Sequence, residues 1–277
     1  MSTAKGNMFQ FVNSGRDLGV TVLNAVMSDF AYGRHAHEEV AMGVTLDGVQ
    51  EFSCNGEQFS SPPGGIILFN PDQAHNGNPG NKTALKYTML YLDPVIFNEL
   101  ARSATDGGRA EYHAREINFS DPVLRTLILR TARLVAAPGG SVLEIESSLY
   151  GLARRLTSRL GVYRPDGWTD AKDALLLRVR DYIHENIEDD ISIDDLSRTA
   201  HLSKFHFIRL FRSQFGLTPH QYVINHRINR VREELAQGTP STDVAARFGF
   251  FDVSHMNRHF KRAYGLTPRQ YQIQFTR

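Results

Sequence analysis

The chain has 277 residues, a net charge of +1, 41% hydrophobic and 22% charged residues, the balance of an ordinary globular protein with room for two domains. No apolar run approaches the roughly 18 residues that span a bilayer, and Met1 to Gln10 carries no basic-then-apolar export signal, so membrane insertion and secretion are not expected. A single cysteine, Cys54, excludes an intrachain disulfide and fits a reducing cytoplasm.

From Gly19 to about Leu92 the chain reads as β-rich. Val20, Val22 and Val26 are apolar at every second position apart from Asn24. Asn55-Gly56 is a hairpin turn between Val49–Cys54 and Glu57–Ser60. Pro62-Pro63-Gly64-Gly65 breaks the chain before the buried run Ile66-Ile67-Leu68-Phe69. A further break is expected from Asn76 to Gly80, then an alternating strand from Ala84 to Leu92. Many short strands with regular turns predict a sandwich or small barrel.

Polar residues punctuate this β region. His35-Ala36-His37-Glu38-Glu39 sits at a strand entrance, and His75 follows another strand. Three histidines can hold a metal, line a pocket for a small polar ligand, or decorate a barrel rim. No carboxylate follows at a convincing metal-ligand spacing, so a pocket built on His35, His37, Glu38 and His75 is the preferred reading, with no metal or cofactor.

Helical patterns begin at Asp121-Pro122, an N-cap with proline at N1, followed by Leu124, Leu127, Ile128, Leu134 and Val135. A second helix is expected from about Ser141 to Leu160. Its stripe of Ile145, Leu149, Leu152, Leu156 and Leu160 would pack on a partner helix, within the domain or across a homodimer. Gly161 to Trp168 reads as an interdomain linker, and Asp173 to Asn186 as the leading helix of a second domain.

The remainder is written twice. Residues 191–222 realign on 240–271 at a constant offset of 49, with about a dozen of 32 positions identical. Gly216-Leu217-Thr218-Pro219 and Gln221-Tyr222 recur as Gly265-Leu266-Thr267-Pro268 and Gln270-Tyr271. An ungapped repeat is one supersecondary unit used twice. Each copy predicts a short helix opened by Ser192 or Ser241, a turn at Ala200-His201-Leu202 or Gly249-Phe250-Phe251, and a second helix opened by Ser203 or Asp252. Gly216 or Gly265 then supplies the left-handed stop.

The second helix of each copy divides into two faces. Phe207, Leu210, Phe211 and Gln214 are expected to be buried, as are Met256, His259, Phe260 and Ala263. Phe205, Ile208, Arg209 and Arg212 face outward in the first copy, and Ser254, Asn257, Arg258 and Lys261 in the second. Arg reads guanine, Asn reads adenine, and Phe205 or Ile208 covers a thymine methyl, so a helix–turn–helix with this face suits the DNA major groove. Such units also occur in helical bundles that touch no nucleic acid; the basic outward faces of both copies favour DNA. A connecting helix from Pro219 to Gln237 spans about 28 Å, against about 34 Å between successive major-groove faces. Charge supports the same division: Ser197 to Arg277 holds 13 Lys and Arg against 4 Asp and Glu, a net of +9, leaving −8 for Met1 to Leu196.

These residues resemble the AraC/XylS family of bacterial transcription regulators, and the resemblance covers roughly Ala171 to Arg277. It implies two helix–turn–helix units joined by a long helix, both readers entering adjacent major grooves of double-stranded DNA, and RNA polymerase as a partner. By position it points to Lys204, Phe205, Ile208 and Arg209 in the first reader and to Val253, Ser254, His255, Asn257 and Arg258 in the second. The first half is similar to the cupin-type sensor domain that precedes this module in many relatives, on His-x-His-Glu-Glu and on Gly65, Pro71 and His75. Ala41 and Met42 stand where enzymatic cupins place a metal-binding Glu.

The expectation is therefore a multidomain chain: a cupin-like β-barrel with helices over 1–165, sensing a small effector and dimerising, and an all-α tandem helix–turn–helix module over 171–277. The predicted function is a non-enzymatic, ligand-controlled DNA-binding regulator. The alternative is a cupin-type metal-binding protein or enzyme with an appended DNA module.

Overall fold

A computed structural model describes residues 6–15, 18–80, 84–104, 111–159, 161–164 and 171–275. By Cα packing the chain separates into two compact units. The first comprises Met1–Ala31, His37–Asp72 and Asn76–Gly167; the second comprises Trp168–Arg277 with the short stretches Tyr32–Ala36 and Gln73–His75.

The N-terminal strands are β1 (Met8–Asn13), β2 (Val20–Met27), β3 (Tyr32–His35), β4 (Val40–Asp47), β5 (Val49–Cys54), β6 (Glu57–Ser61), β7 (Ile66–Phe69), β8 (His75–Gly80) and β9 (Leu85–Leu92). Helix α1 (Pro94–Ser103), β10 (Glu111–Ala114), β11 (Asn118–Phe119), α2 (Pro122–Ala136), α3 (Val142–Arg159) and β12 (Gly161–Arg164) follow. The strands form a six-stranded sheet in the order β1-β2-β9-β4-β7-β11 and a four-stranded sheet in the order β3-β8-β5-β6. β10 and β12 pair with each other. The expected β domain is present as two antiparallel sheets, which do not close into one barrel among the described residues. The predicted hairpin turn lies at Asn55 (φ 52°) and Gly56 (φ 84°), both in the positive-φ region that Asn-Gly tolerates.

Alternation explains the core. Val20 and Val22 of β2, Val40, Met42 and Val44 of β4, Ile66 and Leu68 of β7 and Leu90 and Leu92 of β9 bury one side of the large sheet. Phe97 of α1, Leu124 and Ile128 of α2, and Leu149, Leu152 and Leu156 of α3 belong to the same cluster. Asp121 caps α2 by accepting from Val123 N and Leu124 N, each at 3.0 Å. Its other oxygen takes Arg155 Nε at 3.0 Å and Arg159 Nη1 at 3.1 Å, so α3 is tied to the start of α2. Burial opposes ionisation of Asp121, but these hydrogen bonds and guanidinium charges together hold its carboxyl below the usual carboxylate value.

One of two open alternatives is met and two expectations change here. The leucine stripe of α3 is internal: Ile145, Leu149, Leu152 and Leu156 are all within 5% exposure and sit in the domain's own core, so it offers no dimer seam; Leu160 lies outside the described residues. Residues 161–164 are strand β12 and not linker, because Gly161–Arg164 pairs in register with Glu111–Ala114. The remaining linker residues, 165–168, lie outside the described residues. Asn76 to Gly80, turn-like in composition, belongs to β8, where sheet neighbours override local preference: Ser53 N donates to Asn76 Oδ1 at 2.6 Å.

The C-terminal helices are α4 (Ala171–Glu185), α5 (Ile193–Thr199), α6 (Lys204–Phe215), α7 (Pro219–Ala236), α8 (Ser241–Arg247), α9 (Val253–Tyr264) and α10 (Pro268–Gln272). Capping boxes open α5 (Ser192 with Asp195), α7 (Thr218 with Gln221) and α10 (Thr267 with Gln270). Gly216 (φ 69°) and Gly265 (φ 80°) close α6 and α9 in the left-handed region. Ser241 is the first residue of α8 and not its cap; Pro240 holds the cap position with no side-chain bond, since proline has no hydroxyl or carboxylate to offer. Gln214 is exposed, and Phe215, four residues after Phe211, takes the buried position instead.

Candidate functional site

Each recognition-type helix has a sealed inner face. In α6, Phe207, Phe211 and Phe215 are buried, and the rings of Phe211 and Phe215 each lie 5.4 Å from that of Tyr222 in α7. In α9, Met256, Phe260 and Tyr264 are buried, and Tyr264 donates its hydroxyl to Asn229 Oδ1 of α7 at 2.7 Å. Arg232 stacks over the Tyr264 ring at 5.5 Å. Helix α7 is thus the rod on which both second helices are mounted. Its Arg227, mostly buried, donates to the carbonyls of Ile187 (3.1 Å), Asp189 (2.7 Å) and Gly249 (3.3 Å).

With the inner faces fixed, the outer faces are determined. On α6, Phe205 is 89% exposed, Arg209 and Arg212 are exposed, and Ile208 is half-buried. Lys204 is exposed and paired with Asp194 of α5. On α9, Ser254, Arg258 and Lys261 are exposed, while Val253, His255 and Asn257 are half-buried. Asp252 caps α9 by accepting from His255 N at 2.6 Å. His255 and His259 face each other with Nε2 to Nε2 at 3.1 Å, so one imidazole must donate and the other accept. Burial, then the charges of His255, Arg262, His220 and Arg258, hold the His259 pKa below its ordinary value.

Sequence reasoning missed Phe251. It directly precedes the α9 cap and is 93% exposed, whereas neighbouring Phe250 is buried at 6%. The turn offers two consecutive phenylalanines, and the repeat does not say which one faces inward.

His35, His37 and His75 are all buried. The Nδ1 of His35 is 2.7 Å from the Gly33 carbonyl, and that of His75 is 2.8 Å from the Gln73 carbonyl. A carbonyl only accepts, so each Nδ1 carries the proton and each Nε2 presents a lone pair. The two rings are 4.5 Å apart between centroids. Burial lowers the His35 pKa to about 4, against a smaller upward pull from the Gly33 bond. Burial and then the His35 charge push His75 well below its ordinary value. Glu38, next in sequence to His37, is half-buried.

Comparison with known proteins assigns both parts. Residues 18–153 match the AraC-like ligand binding domain, and residues 196–274 match a helix-turn-helix domain. The chain is 27% identical over 224 residues to the uncharacterized HTH-type transcriptional regulator YbfI of Bacillus subtilis, covering 80% of each chain. It is 27% identical over 206 residues to the XylDLEGF operon transcriptional activator 1 of Pseudomonas putida, covering 71% of this chain and 61% of that one. The crystal structure of unsaturated fatty acid-bound wild-type ToxT from Vibrio cholerae has the same fold, at a TM-score of 0.60 and 13% identity over 93% of this chain and 96% of that one. No helix among the described residues is long and apolar enough to cross a membrane. A ligand-binding β domain, followed by a repeated helix–turn–helix whose readers share one rod, makes this chain a transcription regulator of the AraC/XylS family.

Proposed function

We propose that α6 and α9 read two adjacent major grooves of one duplex, with Lys204, Phe205, Ile208, Arg209 and Arg212 in the first and Val253, Ser254, His255, Asn257, Arg258 and Lys261 in the second. The observation that carries this reading is the equivalence of the copies: Arg209 and Arg258, 49 positions apart, are both exposed on helices whose inner faces are sealed against α7. Replacing Arg209 or Arg258 with Ala should cost about 1–3 kcal/mol and relax specificity at one base pair in one half-site. Selection from random duplexes, followed by affinity measurement, checks this. Equal weakening on every sequence would show that these arginines hold phosphate and not bases.

The effector is proposed to bind at residues among His35, His37, Glu38 and His75. Its binding would favour one arrangement of the domain over another and so alter DNA affinity. The Nε2 lone pairs of His35 and His75, whose rings lie 4.5 Å apart between centroids, favour one specific alternative: a divalent transition metal is itself the effector or part of its site. A metal-ligating histidine donates its other ring N–H to a carbonyl or carboxylate, as Nδ1 of His35 and His75 do to Gly33 and Gln73. Metal analysis of the purified protein, with DNA affinity measured before and after chelation, separates the two. Stoichiometric metal and a chelator-sensitive affinity favour metal; neither favours an organic ligand.

This role needs no catalysis and places the chain in the cytoplasm with DNA. RNA polymerase is the further partner that the family resemblance implies. A homodimer through 141–160 would have to use the exposed side of α3, where Leu143 (72%) and Tyr150 (40%) lie. Sedimentation of wild type against Leu143→Glu tests it.

A further inference from the structure

We propose that Phe251 is a base-contacting residue of the second reader and covers the 5-methyl group of a thymine. The proposal rests on the reading of α9 as a groove-entering helix and adds to it a specificity determinant of defined chemistry.

Phe251 is the most exposed of the large hydrophobic side chains among the described residues, at 93%. It is held between two fixed points. Phe250 is buried, with its ring 5.7 Å from that of His255, and Asp252 accepts the His255 amide at 2.6 Å. The backbone that presents Phe251 is therefore anchored on both sides. A helix–turn–helix reader meets base edges with the N-terminal residues of its second helix, and Phe251 stands two residues before Val253, where α9 begins. The first reader carries the same chemistry at the same end, where Phe205 is the second residue of α6 and 89% exposed. An uncharged aromatic ring makes no ion pair with phosphate; in the major groove its partner is the thymine methyl.

The two phenylalanines do not occupy equivalent positions. At the offset of 49, Phe205 corresponds to Ser254, and Phe251 corresponds to Leu202, which is half-buried. The apolar contact thus falls three residues earlier in the second copy than in the first. Thymine would be required at different steps of the two half-sites, and the site would have a direction even though its readers are a repeat.

The test uses the full chain and a duplex that wild-type protein selects from a random-sequence pool. Each thymine of the selected site is replaced in turn by deoxyuridine, which removes only the methyl group, and dissociation constants are measured for wild type and Phe251→Ala. One thymine of the second half-site is expected to weaken wild-type binding about fourfold when demethylated, the value of one buried methyl group. Phe251→Ala should be insensitive there while keeping its sensitivity in the first half-site, and Phe251→Leu should keep part of the effect. If selection succeeds but demethylation weakens Phe251→Ala and wild type equally at every thymine, or no thymine of the second half-site matters, Phe251 does not read a methyl group. If wild type selects no sequence at all, base reading by α9 fails, and this proposal falls with it.

Discussion

The two helix–turn–helix copies use one backbone frame for different surfaces. Both second helices start from an N-cap, end at a left-handed glycine and lead through Leu-Thr-Pro into the next capped helix. The inner faces already differ: α6 seals itself with three phenylalanines against Tyr222, while α9 uses Met256, Phe260 and Tyr264 and adds a hydrogen bond to Asn229. The outer faces differ more, with Phe205, Ile208, Arg209 and Arg212 against Ser254, Asn257, Arg258 and Lys261. The lesson is that residues setting backbone conformation repeat because only glycine, a small polar cap or proline fits there. The outward positions are free to diverge, and divergence lets one chain read two unlike half-sites.

The largest effect should come from the residue that treats the copies alike. Arg227 of α7 donates to the carbonyls of Ile187 and Asp189, just before the first copy, and to Gly249 in the turn of the second. Burial lowers its pKa, against a smaller upward pull from the Asp190 charge. Arg227→Met keeps most of the volume but leaves three carbonyls without that donor. It should cost about 3 kcal/mol, read from chemical denaturation. Hydrogen exchange should show the loss in both copies. A loss confined to one copy would mean that α7 does not couple them.

A smaller effect should separate the copies. Asp252 caps α9 with a side-chain hydrogen bond, whereas Ser203, at the same position of α6, makes none. Asp252→Ala should therefore cost about 1 kcal/mol, and Ser203→Ala only a few tenths. Equal costs in denaturant titrations would show that the hydroxyl of Ser203 caps α6 in solution.

The C-terminal module was largely legible in the sequence because its signals are local. Thr218-Pro219, Gly216 and the 3.6-residue spacing of Phe207 and Phe211 each act within one or two turns. What failed there was also local: Gln214 yielded the buried position to Phe215, and Pro240, one residue before Ser241, took the cap. The β domain was less legible because pairing is remote. Nothing near Gly161–Arg164 announces Glu111–Ala114 as its strand partner, and Pro165-Asp166-Gly167 next to it made a linker the natural reading. Helix α1 is a different omission: Asp93-Pro94 carries the same cap-and-proline signal as Asp121-Pro122, and its Oδ1 accepts from Val95 N at 2.8 Å. His35, His37 and His75 stand out by residue type, but the lone-pair orientation of His35 and His75 depends on the carbonyls of Gly33 and Gln73 and could not be read from residue types.

The smallest effect concerns pH and again belongs to one copy. At the offset of 49, His259 corresponds to Leu210, so only the second reader carries the facing histidine pair. Burial and the neighbouring charges of His255, Arg262, His220 and Arg258 depress the folded-state pKa of His259 below the ordinary 6.5. Above that value His259 is neutral whether folded or unfolded, and its stability contribution is complete. As the pH falls below it, the unfolded chain takes up a proton first, so folded stability declines until the depressed folded value is passed. A second proton on the pair would also set two N–H groups against each other across the Nε2–Nε2 contact. His259→Leu, which gives the second copy the residue of the first, should lose less stability than wild type between pH 7.5 and 5.5. The buried histidines His35 and His75 titrate in both proteins and cancel in the difference. Parallel stability curves over that range would show that this histidine pair does not distinguish the copies.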